Sequence, residues 1–506
     1  MNTPNNKVDN PIQHQVYLSL PDGLYSEVPP VRVEQPSLLA LNHDLLAHYG
    51  LSPEWFESAD GIHFLTGNHD YASQHPIAMG YAGHQFGHYS PQLGDGRAHM
   101  LGQLKTGDGQ FIDVQLKGSG RTPYSRGGDG RATLGAVIRE YLISEAMAGL
   151  KIPTTRTLAM MSTGDSVMRD YQMVPGAIQV RTATSHIRVG SFQYAYAKLG
   201  KSGVQALADF LITQHYPDVD VDGRDSCDNE NKYVALFEAI CVRQANLIAQ
   251  WMLVGFIHGV MNTDNMSLVG ESIDFGPCAF MDEFKANKVF SSIDRESRYA
   301  WDQQANIGYW NLQRLAETFL PLFDDKFDED SDNAIEMAQA PLSAYITVFQ
   351  QAFQDGLKQK LGVTASTQDA DDFINEALPT VAAESMDFTQ FFDALTRVAQ
   401  GDEDDTPLLS LFSNQEKGEQ WIARWHSLRD SSSESVKAMR AANPALIARN
   451  HQVEQAIEDA MERDDFALFN RLSQALKNPY SVSDDNRDLQ AAPMPEQRVL
   501  RTFCGT

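Results

Sequence analysis

A short stretch in the middle of the chain contains residue types that suit a divalent metal ion. It reads HGVMNTDNMSLVGESIDFGP and includes Asn265 and Asp274. Amide and carboxylate oxygens are hard ligands of the kind that Mg²⁺ prefers. Asp264, directly before Asn265, could act as a displaced general base or could orient a metal-bound water. The stretch therefore favours metal-assisted chemistry.

The same stretch is similar to the catalytic segment of protein kinases, which reads H-R-D-x-x-x-x-N and is followed by D-F-G. His258 and Asn265 match the His and the Asn, and Asp274 begins the D-F-G. The Asp that accepts the substrate proton in kinases falls on Val260. Both metal-binding positions are thus present, whereas the usual base is not.

Three further features precede this stretch in the order that kinases have. Gly94 and Gly96 form a Gly-rich turn whose backbone amides could approach phosphate. Lys117 ends an alternating segment, FIDVQLK, and Glu140 lies on the next predicted helix, so the two could form an ion pair. Each feature alone is as well explained by an ordinary hairpin, a strand-end lysine or a surface glutamate. Together and in this order, they favour a nucleotide site.

The charge balance limits the ligands that the chain can bind. Lys and Arg total 40 and Asp and Glu total 67, which gives a net charge of −27. Such a chain repels phosphate backbones, so we expect no general binding of nucleic acid. A bound polyanion needs a local basic patch, and Arg97, Arg181 and Arg188 are candidates because arginine binds phosphate bidentately. Surface or salt-bridged arginines are an equally good interpretation of any one of them.

Cysteine content and hydropathy favour a soluble cytoplasmic protein. Four cysteines without a C-x-x-C pair are too few for a disulfide framework. The N-terminus is polar and lacks the apolar core of a signal peptide. The most apolar run, LIAQWMLVGFIHGVM, is too short and too interrupted to span a membrane. We expect a monomer that does not bind membranes.

Periodicity divides the chain into a strand-rich part and a helical part. Gly-rich turns flank alternating segments up to about residue 200, with one amphipathic helix, ATLGAVIREYLISEAMAGL, among them. Ser185 is expected to cap a following helix, and helical patterns dominate from about residue 230. The predicted fold is α+β, with the two-lobe order of a protein kinase. The predicted divisions are an N-terminal extension packed on the core (1–78), a strand-rich lobe (79–200), a helical lobe with the catalytic segment (201–340), a helical extension (341–480) and a tail with Cys504 (481–506).

Four long segments carry a more specific resemblance. They are YAGHQFGHYSPQLGDGRA, DVQLKGSGRTPYSRGGDGRATLGAVIREYL, VRTATSHIRVGSFQ and the stretch that ends in D-F-G. They resemble the selenoprotein O (SelO, YdiU) family, strongly from about residue 75 to 290 and more weakly to near the end. The resemblance implies a kinase-like fold that transfers AMP from ATP to Ser, Thr or Tyr hydroxyls of proteins. It also implies a flipped ATP, whose α-phosphate lies at the reacting position, so that a base at Val260 is not needed.

The resemblance also implies roles for individual residues. Asp264 takes the acid–base position, and Asn265 and Asp274 bind Mg²⁺ or Mn²⁺. Family members often carry a cysteine or selenocysteine near the C-terminus, as Cys504 does here, and some have a second thiol in the activation segment. The corresponding segment KANKVFSSIDRE has none, and Cys278 is the nearby substitute. The implied nucleotide contacts are Gly94, Gly96, Arg97, Lys117, Asp129, Gly130, Arg181, Arg188 and Asp274.

Two other functions remain open at this point. The first is a phosphotransferase that uses Asp264 as its base. The second is a non-catalytic ATP-binding scaffold. A scaffold needs no metal, so four residues argue against it: Lys117, Glu140, Asn265 and Asp274.

Overall fold

A computed structural model describes residues 9–13, 15–71, 74–220, 231–324 and 332–503. The strands are β1 Tyr25–Glu27, β2 Ser37–Leu41, β3 Ile77–Met79, β4 Gly83–Gln85, β5 His88–Ser90, β6 Ala98–Lys105, β7 Phe111–Lys117, β8 Ala132–Thr133, β9 Arg156–Arg169, β10 Gln172–Ala183, β11 Phe256–Ile257 and β12 Ala279–Phe280. The helices are α1 His43–His48, α2 Glu54–Glu57, α3 Ala59–Leu65, α4 Leu134–Gly149, α5 Val189–His215, α6 Lys232–Leu253, α7 Gln304–Phe323, α8 Asp332–Leu361, α9 Gln368–Ala383, α10 Phe388–Gln400, α11 Thr406–Leu409, α12 Gln415–Leu428, α13 Ser433–Ala442, α14 Asn450–Arg463 and α15 Ala467–Leu476.

An antiparallel sheet forms the N-terminal half, as the alternating segments predict. The strand order is β1-β3-β6-β7-β10-β9-β2, and β8 pairs with β10. The outer strands β1 and β2 come from the N-terminal 78 residues, which therefore extend the sheet at both edges. The paired strands β7 and β10 lie at its centre and end beside the helical half.

Both faces of β7 are buried. Val114 and Leu116 face an apolar cluster beneath the sheet, as the alternation predicts. On the opposite face, Asp113 and Gln115 are also fully buried, and Gln115 donates a hydrogen bond to Asp95. A buried polar face of this kind is stable only when its groups are hydrogen-bonded.

Helix α4 packs between the sheet and the C-terminal helices. Thr133 caps its N-terminus by accepting a hydrogen bond from the amide of Ala136 at 3.2 Å. Gly135 lets α14 approach closely, because a Cβ at this position would lie 2.8 Å from Ile457. Arg139 of α4 forms an ion pair with Glu454 of α14. The C-terminal helices thus fix the position of α4.

Most of the described chain after β10 is helical, as predicted. Leu236, Ile240, Leu247 and Trp251 of α6 form the expected buried stripe. The N-cap of α5 is Arg188 and not Ser185, which instead lies within hydrogen-bonding distance of Tyr17. Across the described ranges, no helix combines the length and the apolar character needed to cross a bilayer.

A buried ionic cluster joins the C-terminal helices to the segment that follows D-F-G. Arg449 is 1% exposed and binds Asp282 at 2.6 Å and Asp387 at 2.8 Å. It also donates a hydrogen bond to the carbonyl of Gln490. Removing one member of a buried pair leaves an uncompensated charge, which is much more destabilising than losing an exposed pair.

We therefore predict that Arg449→Ala lowers the free energy of unfolding by about 3–5 kcal/mol, because two carboxylates lose their buried partner. Urea unfolding followed by circular dichroism measures the change. Arg471→Ala, which removes an exposed pair with Asp488, is the matched control and should cost at most about 1 kcal/mol. Equal effects of the two substitutions would contradict the prediction.

Candidate active site

A cavity of about 960 Å³ lies between the sheet and the helical half. Its wall combines the Gly-rich turn, the ends of β7 and β10, the first turns of α4 and the segment around D-F-G. All the residues that the sequence singles out for the site line it: Gly94, Gly96, Arg97, Lys117, Asp129, Gly130, Glu140, Arg181, Arg188, Asp264, Asn265 and Asp274.

Three cations converge on the carboxylate of Asp274. Lys117 Nζ lies 2.7 Å from Oδ1, Arg181 Nη1 lies 2.6 Å from Oδ1, and Arg188 Nη1 lies 2.6 Å from Oδ2. Burial alone would raise the pKa of Asp274, but the three positive charges outweigh it and hold the pKa well below its usual value. Asp274 also has a φ of 64°, a left-handed conformation that is uncommon outside glycine. The cluster holds an ionised carboxylate in a specific orientation.

The predicted ion pair between Lys117 and Glu140 is present. Lys117 Nζ lies 2.6 Å from Glu140 Oε1, and both side chains are largely buried. The pair joins the end of β7 to α4, so the position of α4 determines where the ammonium group lies. Since Arg139 and Gly135 fix α4 against α14, the C-terminal helices indirectly position Lys117.

Arg181 and Arg188 meet at the inner end of the cavity. Both side chains are at most 3% exposed. Arg181 donates a hydrogen bond to Gln115 at 2.5 Å, and Arg188 donates one to the backbone carbonyl of Asp264 at 2.7 Å. Two buried guanidinium groups are therefore directed at one carboxylate, at the place where the sequence predicts a local basic patch.

Asp264 lies in a short 3₁₀ turn, Thr263–Asn265, beside this cluster. Its Oδ2 accepts a hydrogen bond from Gln85 Nε2 at 3.3 Å, and its Oδ1 is buried without a partner among the described residues. Burial raises the pKa of Asp264 to about 6, although the charge of Arg188 opposes the shift. A carboxylate with such a pKa is suited to accept a proton near neutral pH.

Asn265 and Asp274, the predicted Mg²⁺ ligands, both line the cavity, and the Asp274 oxygens already accept contacts from three cations. Asn265 Nδ2 donates a hydrogen bond to the carbonyl of Val260 at 3.0 Å, which leaves its amide oxygen to bind a cation. Among the described residues, no group of three or more His, Cys, Asp or Glu side chains could hold a metal. Mg²⁺ is usually bound by one or two carboxylates together with substrate phosphates and waters, and this arrangement agrees with that rule.

Two glycines of the rim are required by close packing. Gly94 has a φ of 83°, and a Cβ there would overlap the ring of Tyr124. Gly130 has a φ of 71°, and a Cβ there would overlap the carbonyl of Gly120. Both therefore allow two loops to lie against each other at the mouth of the cavity.

Comparison with known protein families matches residues 11–477 to a model described as protein adenylyltransferase SelO. The chain belongs to the SelO family. The resemblance that the sequence segments carry is therefore confirmed.

Relatives in the family match over nearly their full length. The protein nucleotidyltransferase YdiU of Shewanella denitrificans is 49% identical over 508 residues, which cover 98% of each chain. A protein of the same name from a Bradyrhizobium species is 48% identical over 494 residues, covering 97% of this chain and 98% of the relative. That from Rhizobium meliloti is 45% identical over 494 residues, with the same coverage.

Two of the residues implied by SelO family membership lie at the outer rim. Asp129 is exposed and forms an ion pair with Arg169 at 2.7 Å, and Arg97 is partly buried beside the Gly-rich turn. Neither side chain contacts the Asp274 cluster among the described residues, so we place both at the opening of the cavity rather than at its inner end.

Only one of the two candidate thiols, Cys278, lies within the described residues. Cys278 is buried and donates a hydrogen bond to the carbonyl of Phe275. Cys504 lies outside the described residues. The nearby Thr502 donates a hydrogen bond to the carbonyl of Pro277, so the end of the described chain passes beside Cys278.

Sequence reasoning missed Gln85 of the β4–β5 hairpin. Its contact with Asp264 joins positions far apart in the chain, and nothing in the local sequence indicates it. The only available signal was the segment HQFGH itself, whose Phe-Gly pair is unusual for a tight hairpin turn.

We predict that the stability of Asp264→Asn relative to wild type is greater at about pH 8 than at about pH 5.5. The folded-state pKa is raised above the ordinary 3.8, so wild-type stability is lost as the pH rises from about 4 to about 6. The total loss is about 3 kcal/mol, since a tenfold change in acidity corresponds to about 1.4 kcal/mol. The asparagine stays neutral, so its advantage should grow by the remaining ~1 kcal/mol between pH 5.5 and pH 8.

Urea unfolding without metal or nucleotide, at both pH values, measures this difference. Asp402→Asn, at an exposed loop position, is the control and should shift stability equally at the two values. An advantage of Asp264→Asn that does not change with pH would contradict the prediction.

Proposed function

We propose that this chain is a protein adenylyltransferase that transfers AMP from ATP to Ser, Thr or Tyr hydroxyls of proteins. The observation that carries the proposal is the convergence of Lys117, Arg181 and Arg188 on Asp274, directly beside the buried carboxylate of Asp264. The acceptor hydroxyl oxygen forms a bond to the α-phosphorus and gives its proton to Asp264. The bond between the α-phosphorus and the bridging oxygen breaks, and pyrophosphate leaves.

We propose that the two halves form a kinase-like fold. The antiparallel sheet with α4, the Lys117–Glu140 pair and the D-F-G segment support this assignment. The proposed strand-rich lobe covers residues 79–200 and the helical lobe 201–340. The N-terminal 78 residues pack on this core, and a helical extension (341–480) and a tail (481–506) follow it.

The proposed ATP orientation is flipped relative to kinases. Of the described cations that line the cavity, Arg181 and Arg188 are the most buried, so the β- and γ-phosphates are expected at the inner end of the cavity. This leaves the α-phosphate next to Asp264 and explains why Val260 needs no carboxylate. Asn265 and Asp274 would bind Mg²⁺ or Mn²⁺, which supplies positive charge to the phosphates when bound. Gly94, Gly96, Arg97, Asp129 and Gly130 are proposed to contact the outer part of the nucleotide.

We further propose that the enzyme acts as a cytoplasmic monomer and does not bind nucleic acid. The net charge of −27 and the low cysteine content support this part of the proposal. A phosphotransferase is the second candidate, because a base at Asp264 would also suit attack on a γ-phosphate.

We predict that incubation with Mg²⁺ and ATP labelled at the α-phosphate labels protein, whereas ATP labelled at the γ-phosphate does not. Asp274→Ala should abolish the labelling, because the site loses a ligand that no neighbour can replace. Asp402→Ala is the exposed control, and circular dichroism establishes that each variant folds. Transfer of the γ-label would instead indicate a phosphotransferase, and ATP binding with neither label transferred would indicate a scaffold.

We also predict that Arg181→Ala and Arg188→Ala each weaken ATP binding by about 1.5–3 kcal/mol, the usual contribution of a charge-assisted contact. Binding of AMP should weaken less, because AMP has no β- or γ-phosphate. Calorimetric titration with both nucleotides separates the two effects, and Arg471→Ala is the distant control. Equal losses for ATP and AMP would mean that these arginines stabilise the site rather than bind the terminal phosphates.

A further inference from the structure

The β4–β5 hairpin carries an aromatic residue in a backbone conformation that such residues rarely adopt. Phe86 and Gly87 form a two-residue turn between the paired residues Gln85 and His88. Their φ values are 50° and 85°, as in a type I′ turn. Asn-Gly is the preferred pair for this turn, whereas a bulky residue in the left-handed region is strained. Strain of this kind persists where the surrounding structure enforces it, often at functional sites.

The strained turn is held by the catalytic segment. The amide of Phe86 donates hydrogen bonds to Asn262 Oδ1 at 3.0 Å and to the hydroxyl oxygen of Tyr299 at 3.2 Å. Tyr299 in turn donates to Asn262 Oδ1 at 2.6 Å, and its ring centroid lies 5.2 Å from that of Phe86. The backbone and the ring of Phe86 are therefore both fixed.

The preceding residues of the hairpin extend this contact toward Asp264. The amide of His84 donates to Thr263 Oγ1 at 2.7 Å, and Gln85 Nε2 donates to Asp264 Oδ2. Three successive hairpin residues thus bind three successive residues of the catalytic segment. The hairpin and Asp264 form one rigid unit.

Gln85 and Phe86 form the cavity wall on the side of the catalytic segment. Lys117 and Arg181, which are proposed to face the phosphates, extend from the neighbouring strands β7 and β10 and contact Asp274. An acceptor hydroxyl must reach Asp264 from the side that the phosphates do not occupy. Phe86 is partly exposed, lines the cavity and directly follows Gln85, which binds the Asp264 carboxylate.

We propose that Phe86 determines acceptor binding: its ring forms the wall against which the hydroxyl-bearing residue of the acceptor protein packs beside Asp264. This inference rests on the proposed adenylyl transfer. In it, the acceptor oxygen bonds to the α-phosphorus, pyrophosphate leaves and the acceptor proton passes to Asp264. With the ring removed, water replaces the acceptor as the group that attacks, and free AMP is released instead of protein-bound AMP.

The test measures the ratio of protein-bound AMP to released pyrophosphate. The reaction contains α-labelled ATP, Mg²⁺ and casein as a flexible acceptor, and label is counted both on casein and on the chain itself. Phe86→Gly should lower this ratio about tenfold, a typical loss for a missing apolar contact. Its melting temperature and ATP affinity should match those of wild type, because glycine adopts the turn without strain. Phe86→Tyr should retain the wild-type ratio, and Tyr89→Ala, on the same hairpin, should leave it unchanged.

Each other outcome has a distinct meaning. If wild type transfers no α-label, the proposed adenylyl transfer itself fails. If wild type transfers label and Phe86→Gly keeps the wild-type ratio, the inference about Phe86 is wrong. Weaker ATP binding by Phe86→Gly would show that the ring contacts the nucleotide, and a lower melting temperature with a proportional loss of all activity would show that it only packs against Tyr299. Either result overturns the inference.

Discussion

The carboxylate of Asp274 accepts contacts from three buried cations that come from three different parts of the chain. Lys117 lies at the end of β7, Arg181 lies on β10 and Arg188 begins α5. These three elements must therefore meet at one point, beside the D-F-G segment. Because buried charges without partners are costly, the cluster forms only when the sheet and the helical half are correctly packed.

The same constraint accounts for the polar face of the central strands. Gln115 accepts a hydrogen bond from Arg181 and donates one to Asp95, so a chain of buried polar groups connects the cluster to the Gly-rich turn. Apolar residues would stabilise a sheet at lower cost. The polar residues found here instead place binding groups inside the sheet. A phosphate that replaced Asp274 as the partner of these cations would therefore enter a pre-ordered framework.

Local periodicity explains what could be predicted from the sequence. The alternation of β7, the apolar faces of α4 and α6, and the order of Lys117 and Glu140 follow from short-range patterns. The contacts that complete the site do not, because Gln85 and Asp264 meet only through tertiary packing. Ser185 is a reasonable cap by residue type, but the helix begins three residues later, after Arg188, whose guanidinium contacts Asp274. The burial of Asp113 and Gln115 could not be predicted either, because an alternating strand usually exposes its polar face.

The packing of α14 and α15 against α4 also has a consequence for the synthesis of the protein. The ribosome completes the sheet, α4 and the D-F-G segment long before it reaches Glu454 and Ile457, which hold α4 from the outside. Until those helices emerge, the Lys117–Glu140 pair lacks its outer support. A nascent or truncated chain would contain every residue of the site without a fixed α4, so catalytic competence should appear only once translation is nearly complete.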